Sequence, residues 1–183
     1  MENSEIILNR DCKATLIPIG REVLLTEGTS VHIAQALGGN ITVRNNMGLY
    51  RIENVDLDAL GEGFVKQINL ENAKDKSDIT FSEESIWQAL KTCYDPEIPV
   101  NIVDLGLIYD LSIDTLDSGN NSVKVKMTLT AQGCGMGPVI AADAKNKIEA
   151  IPQVESAEVE IVWDPQWTPH MISEEGRKLL GLD

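Results

Sequence analysis

A cysteine flanked by glycines is the residue of this chain best suited to chemistry. Cys134 lies in the segment TAQGCGMGP, where Gly133 and Gly135 leave the sulfur uncovered and let a partner approach the backbone closely. Pro138 suits the first turn of a helix that follows. A thiol placed just before a helix meets unpaired amides and the positive end of the helix dipole, which favour the thiolate. We therefore expect Cys134 to be a reactive thiol.

A second polar segment, DPEIPVNIVD, carries three carboxylates that we expect close to this thiol. Asp95, Glu97 and Asp104 belong to it. If the strands between the two segments form a hairpin, the start of the first borders the end of the second, and Asp104 lies roughly opposite Gln132. Negatively charged carboxylates close to Cys134 would disfavour its thiolate form. In the alternative interpretation, Asp95 and Glu97 simply shape a turn.

The other polar and aromatic residues near these segments have more ordinary interpretations. Cys134 itself could be a small buried hydrophobe, because free cysteine is often buried. Thr130 belongs to the candidate site at the start of the loop, although Thr128 and Thr130 also have the pattern of surface residues on a strand. Trp163 and Trp167 are more typical of packing or of a partner contact than of catalysis.

The sequence around the two segments predicts the elements that must position them. These elements form an α+β domain in the order helix, strand, strand, helix, strand. SEESIWQALKTC predicts the first helix, with Thr80 or Ser82 as its cap. LGLIYDLSI and SVKVKMTLT alternate as two antiparallel strands, VIAADAKNKIEAI is helical, and VESAEVEIVW predicts a third strand parallel to the second. The result is a small α/β sandwich with a mixed sheet, followed by a short helix from Ser173 to Gly181.

The N-terminal part of the chain predicts a separate, mostly β domain. Short apolar runs alternate with glycines between Cys12 and Lys66, and the Asn45–Gly48 stretch predicts a hairpin turn. NLENAKDKSD is polar and charged, which is typical of an exposed linker. We therefore assign 1–70 to the N-terminal domain, 71–79 to the linker and 80–183 to the C-terminal domain.

The composition argues against several classes of function. A net charge of -14 without a cluster of basic residues disfavours nucleic acid and anionic membranes. No stretch approaches the roughly 18 apolar residues of a membrane span, and the polar start does not predict a secretory signal, so we expect a cytoplasmic protein. Cys12, Cys93 and Cys134 are odd in number and widely spaced. This spacing predicts neither a disulfide framework nor a structural zinc site.

The motifs quoted above resemble the small domain shared by PaaD, SufT and the eukaryotic cytosolic iron-sulfur targeting subunit. The similarity covers nearly all of 80–182, and the stretches GTSVHIAQALGGNITV and GLYRIENVDLDALG resemble the extension of SufT. The resemblance implies a role in maturing iron-sulfur proteins, with Cys134 as the family's reactive cysteine and Asp95 and Glu97 as its acidic motif. The wider family usually has proline after the cysteine, whereas Gly135 here fits the SufT branch.

Within that role, we expect an adaptor or a transient cluster carrier rather than an enzyme. An iron-sulfur cluster usually takes four protein ligands, and each chain offers one well-placed thiolate, so we expect no tightly bound cofactor. Cys134 could supply one ligand to a transient cluster, in a homodimer or in a complex with an iron-sulfur scaffold or a recipient apoprotein. One alternative is an inert structural interaction module. Another is a cysteine-nucleophile enzyme, which would need a base that no nearby histidine supplies.

Overall fold

The computed structural model describes residues 5–63, 65–66 and 80–182. Contacts between Cα atoms divide the chain into two compact units, Met1–Ser77 and Asp78–Asp183. The linker predicted at 71–79 lies outside the described residues, so its bounds stay a prediction. Within the described part of the chain, no helix combines the length and the apolar character needed to cross a membrane.

The N-terminal unit is a six-stranded antiparallel sheet. Its strands are β1 (Glu5–Ile7), β2 (Cys12–Ile17), β3 (Arg21–Leu25), β4 (Ser30–Leu37), β5 (Asn40–Asn45) and β6 (Gly48–Ile52). They run in the spatial order β1-β4-β5-β6-β2-β3, and a 3₁₀ helix, Asn54–Leu60, follows them. Asn45 pairs with Gly48 across the predicted hairpin turn. The prediction of a mostly β N-terminal unit is therefore confirmed.

The described residues of the C-terminal unit form three strands, three α-helices and a short 3₁₀ helix, Pro169–Met171. The strands and α-helices are α1 (Glu83–Lys91), β7 (Ile108–Thr115), β8 (Asn121–Met127), α2 (Gly137–Glu149), β9 (Val154–Ile161) and α3 (Glu174–Leu180). β8 is the central strand, and it pairs antiparallel with β7 and parallel with β9. α2 packs along β9, and α1 packs against α2. The predicted α+β order and the mixed sheet are confirmed.

Serine residues begin both α1 and α3, as their sequences predict. Ser82 rather than Thr80 caps α1, because its hydroxyl accepts the amide of Ser85 at 3.0 Å while Ser85 accepts the amide of Ser82 at 3.1 Å. The hydroxyl of Ser173 caps α3 by accepting the amide of Gly176, and the left-handed Gly181 ends that helix. These caps satisfy amides that a helix leaves without partners in its first turn.

A glycine at the start of α2 brings this helix close to the sheet. A Cβ atom on Gly137 would lie 2.5 Å from Cδ1 of Leu129 and 3.2 Å from Cδ1 of Ile161, both shorter than ordinary contacts. At the other end of α2, Nζ of Lys147 donates at 2.7 Å to the carbonyl of Thr92, and Thr92 is the C-cap residue of α1. The beginning and the end of α2 are thus both fixed by neighbouring elements.

Strand β7 is less regular than the alternation from 107 to 113 predicts. Its pairing with β8 shifts register between Ile108 and Asp110. A register shift of this kind is a β-bulge, which bends the strand and re-aims the side chains near it. Tyr109 lies at this bulge, and its hydroxyl donates to the carbonyl of Pro165 at 2.8 Å. The chain that follows β9 therefore contacts the beginning of β7.

Candidate functional site

Cys134 lies in the turn that joins β8 to α2. Its amide donates to the carbonyl of Ala131 over 3.5 Å, and its own carbonyl accepts the amide of Gly137 over 3.3 Å, so both bonds are long. The three cysteines are free thiols; Cys12 and Cys93 are buried, whereas Cys134 is only half-buried. Burial raises the pKa of the Cys12 thiol. Cys134 is therefore the cysteine most accessible to a reagent or a partner.

The backbone before the sulfur requires glycine. Gly133 has a φ of +84°, a left-handed conformation that other residues adopt only with strain, and a Cβ there would meet no atom within 4 Å. Residues 131–133 are exposed, and Gly135 after the sulfur is half-buried. Other side chains therefore cover little of the three residues that precede Cys134.

Asp95 shapes the turn that the DPEIP sequence makes. Oδ1 of Asp95 accepts the amides of Glu97 at 2.8 Å and of Ile98 at 3.1 Å. The side chain is buried, and this burial raises its pKa, although the two amide bonds act in the opposite direction. Glu97 is exposed. The two carboxylates of the motif thus differ: one holds the turn, and the other is open to solvent.

The base of this turn is closed by backbone contacts. The amide of Ile102 donates to the carbonyl of Cys93 at 2.9 Å, and Tyr94 forms an isolated antiparallel bridge with Asn101. Cys93 follows the C-cap of α1 and is fully buried. The segment 95–100 is therefore a loop that begins and ends at the same place on the unit.

Asp104 connects its own segment to α3. Oδ2 accepts Nδ2 of Asn101 at 2.6 Å, Oδ1 accepts the hydroxyl of Ser173 at 2.8 Å, and the Asp104 carbonyl accepts the Ser173 amide at 2.8 Å. The predicted position opposite Gln132 assumed that the hairpin pairing extends this far. The backbone pairing with β8 begins only at Leu107, because the chain before it is folded into turns. The described contacts of Asp104 give it a structural role.

The interpretation of Thr128 as a surface residue is wrong. Thr128 is 1% exposed, and its Oγ1 has no hydrogen-bond partner among the described residues. Its amide donates to the carbonyl of Leu107 at 2.8 Å. Alternation with Lys126 predicted exposure, but β8 ends at Met127 and the alternation ends with it. Thr130, two residues on, is half-buried at the start of the Cys134 loop.

The bond between Leu107 and Thr128 connects the chain just after the first polar segment to the chain just before the second. That Asp95, Glu97 and Asp104 lie close to Cys134 stays a prediction. The turn that ends at Leu107 follows the DPEIP loop, and the chain after Thr128 enters the Cys134 loop. Among the described residues, no group of three or more histidine, cysteine, aspartate or glutamate side chains could hold a metal ion. Any cluster bound at Cys134 would therefore need ligands beyond those that the described part of one chain groups together.

Several known proteins are similar to part of this chain. The sequence profile of the family described as "Iron-sulfur cluster assembly protein" matches residues 83–161. A "Fe-S protein maturation auxiliary factor" of Porphyromonas gingivalis is 40% identical over 101 residues, which are 55% of this chain and 92% of the relative. The "Fe-S protein maturation auxiliary factor SufT" of Staphylococcus aureus is 43% identical over 88 residues, 48% of this chain and 96% of the relative.

A solved structure has the same architecture as about half of this chain. The crystal structure titled "Domain of Unknown Function DUF59 from Bacillus anthracis" superposes with a TM-score of 0.50 at 35% identity, covering 55% of this chain and 92% of that one. The family profile lies entirely within the C-terminal unit, which holds Asp95, Asp104 and Cys134. The family profile therefore covers the unit that carries the candidate site.

Proposed function

Because the chain belongs to the iron-sulfur cluster assembly protein family, we propose that it assists the maturation of iron-sulfur proteins as an adaptor or transient cluster carrier acting through Cys134. Two relatives that match nearly along their whole length are named maturation auxiliary factors, which supports an accessory role rather than a catalytic one. The recipients would be apoproteins or a scaffold that holds a cluster. The three free thiols fit a reducing compartment, so we place this activity in the cytoplasm.

The observation that carries this proposal is the difference in burial among the three cysteines. Cys134 is half-buried in a loop with exposed residues before it, whereas Cys12 and Cys93 are buried in the cores of their units. Cys134 follows a glycine in a left-handed conformation and precedes α2 by three residues. A thiol at such a place can be approached by the ligand-bearing surface of another protein.

The number of ligands determines how Cys134 could take part. An iron-sulfur cluster usually takes four protein ligands, and the described residues group no three metal-binding side chains. Cys134 would therefore supply one ligand to a cluster in transit, while a second copy of the chain or the recipient protein supplies the others. Such a shared site suits transfer better than storage, because the cluster leaves when one partner leaves.

An inert interaction module and a cysteine enzyme are the competing functions, and thiol chemistry distinguishes them. We expect iodoacetamide to modify Cys134 before Cys12 or Cys93 in the native protein at neutral pH, because only Cys134 is accessible. The extent of labelling at each cysteine would be read by mass spectrometry. Labelling of Cys134 only after unfolding would contradict the proposal.

The test of function uses cells that depend on this chain for an iron-sulfur enzyme. Cys134→Ser nearly preserves the shape of the side chain and should cost little stability, yet it should abolish support of the enzyme. Cys12→Ser is the matched control, because it makes the same change at a cysteine outside the proposed site. Full complementation by Cys134→Ser would exclude a cysteine-dependent role, and turnover of a small substrate by the purified protein would favour the enzyme instead.

A further inference from the structure

The C-terminal segment is fastened to one short turn of the same unit by three separate contacts. The indole nitrogen of Trp167 donates to the carbonyl of Leu105 at 2.8 Å, and Ser173 donates to Asp104 through both its hydroxyl and its amide. The backbone of Met171 passes so close to Gly106 that a Cβ there would lie 2.2 Å from its carbonyl oxygen. Three consecutive residues of the turn are thus each held by the C-terminal segment.

This turn is the junction between the two segments of the candidate site. On one side, the Ile102 amide closes the DPEIP loop onto the carbonyl of Cys93. On the other side, the Leu107 carbonyl accepts the amide of Thr128, from which the chain runs into the Cys134 loop. A displacement of the turn would therefore move both loops relative to each other.

Buried polar groups make the contact between the turn and the C-terminal segment sensitive to the loss of a single hydrogen bond. Asp104 is 7% exposed, and its two carboxylate oxygens accept from Asn101 and from Ser173 respectively. Oδ1 of Asn101 in turn accepts the amides of Val103 and Asp104 at 3.1 and 2.8 Å. A buried carboxylate that loses one donor is costly, because water cannot replace it easily. The network is therefore expected to change as a unit.

We propose that the C-terminal segment is a clamp that positions the DPEIP loop and the Cys134 loop for the recipient protein. Here the clamp means Trp167, Met171 and Ser173 on one side and the turn from Asn101 to Leu107 on the other. Asp104, Ser173 and Trp167 are then positioning residues, since they act through the loops and need not touch a cluster. The functional part of this inference rests on the proposed maturation role.

The sharpest test substitutes Ser173 in two ways. Ser173→Asp keeps an oxygen that can accept the Gly176 amide and cap α3, but it cannot donate to Asp104 and adds a second negative charge there. Ser173→Thr keeps both the cap and the donor. Ser82→Asp is the matched control, because it makes the same change at the cap of α1, away from the clamp. Trp167→Phe removes the other side-chain bond while keeping a ring.

Amide hydrogen exchange of the full chain reports the loops directly. In Ser173→Asp, we expect the amides of Glu97, Ile98 and Ile102 to exchange about ten- to hundredfold faster, the ratio expected when a hydrogen bond to a charged group is lost. In Trp167→Phe we expect a smaller change, about two- to tenfold, because the bond to the Leu105 carbonyl joins neutral groups. The amide of Val125 in the central strand should change little. Ser173→Thr and Ser82→Asp should match the wild type in the loop.

Support of an iron-sulfur enzyme in cells gives the second readout. Ser173→Asp should lower this support several-fold, while Ser173→Thr and Ser82→Asp preserve it. Unchanged loop exchange in both Ser173→Asp and Trp167→Phe would overturn the clamp whatever the cellular result. Faster loop exchange with full cellular support would overturn its role in positioning but leave the maturation function intact. If removal of the chain left every iron-sulfur enzyme tested at full activity, the maturation function would fail, and the exchange data would still decide whether the clamp orders the loops.

Discussion

Replacing Gly106 with alanine measures how closely the C-terminal segment is seated on the beginning of β7. Gly106 has a φ of +71°, so alanine would be strained there by about 1–2 kcal/mol even without any contact. Gly119 is the matched control: it has a φ of +83° in the turn between β7 and β8, and a Cβ there would meet no atom within 4 Å. The difference between the two variants therefore isolates the contact with Met171.

The contact at Gly106 cannot be relieved by rotating a side chain. The added Cβ would lie 2.2 Å from the carbonyl oxygen of Met171 and 2.7 Å from its carbonyl carbon, so the backbone of this segment must retreat. That movement would strain or break the bond from Trp167 to Leu105 and the bond from Tyr109, each worth about 1 kcal/mol. We expect Gly106→Ala to lower the unfolding free energy by about 3–4 kcal/mol and Gly119→Ala by about 1–2 kcal/mol.

Tryptophan fluorescence during denaturant unfolding measures this difference in the full chain. The three tryptophans, Trp87, Trp163 and Trp167, all belong to the C-terminal unit, so the signal reports that unit alone. Proteolysis of the folded protein at Arg177 would reveal a released C-terminal segment in Gly106→Ala. Equal losses of stability in the two glycine variants would refute the reasoning, because strain alone would then account for both.

Three further predictions concern the DPEIP loop and the boundary between the units. Asp95→Ala should lower the unfolding free energy by about 1–3 kcal/mol, because two amides lose a buried acceptor. Glu97→Ala should change the unfolding free energy by less than about 0.5 kcal/mol. Equal losses for the two variants in denaturant unfolding would contradict this prediction. Since burial raises the pKa of Asp95, the folded state binds its proton more readily than the unfolded state. The wild type should therefore gain stability relative to Asp95→Asn as the pH falls toward 3.8, and the opposite slope would contradict the assignment. Limited proteolysis should cut first between Asn69 and Asp78 and leave a folded C-terminal fragment, whereas first cuts within 85–165 would contradict the predicted linker.

Local patterns were sufficient for most of the fold of the C-terminal unit. The caps Ser82 and Ser173 are read from residues within one helical turn, and the strand β8 is read from the alternation of Val123 and Val125 with lysines. The loop around Cys134 was also visible, because glycine, cysteine and proline together suit neither a strand nor a helix interior. Interactions between close neighbours in sequence determine all of these features.

Long-range contacts account for what the sequence patterns missed. Ser173 reaches Asp104 across 69 residues, and no local pattern indicates such a pairing. The alternation predicts an exposed Thr128 because it continues in the sequence beyond the point where the strand ends. No local pattern singles out Gly106, yet the backbone of Met171 occupies the space where a side chain at this position would be.

The amino-acid sequence by itself determined the order of the elements, the segment that carries Cys134 and the family to which that segment is similar. Those properties follow from hydrophobic periodicity, turn-forming residues and a run of motifs, each of which acts over a few residues. Only the tertiary structure decided which cysteine is accessible, which carboxylate is buried and which turn the C-terminal segment holds. Burial and hydrogen bonding between distant segments depend on where the chain returns in space, and that is a property of the whole packed unit.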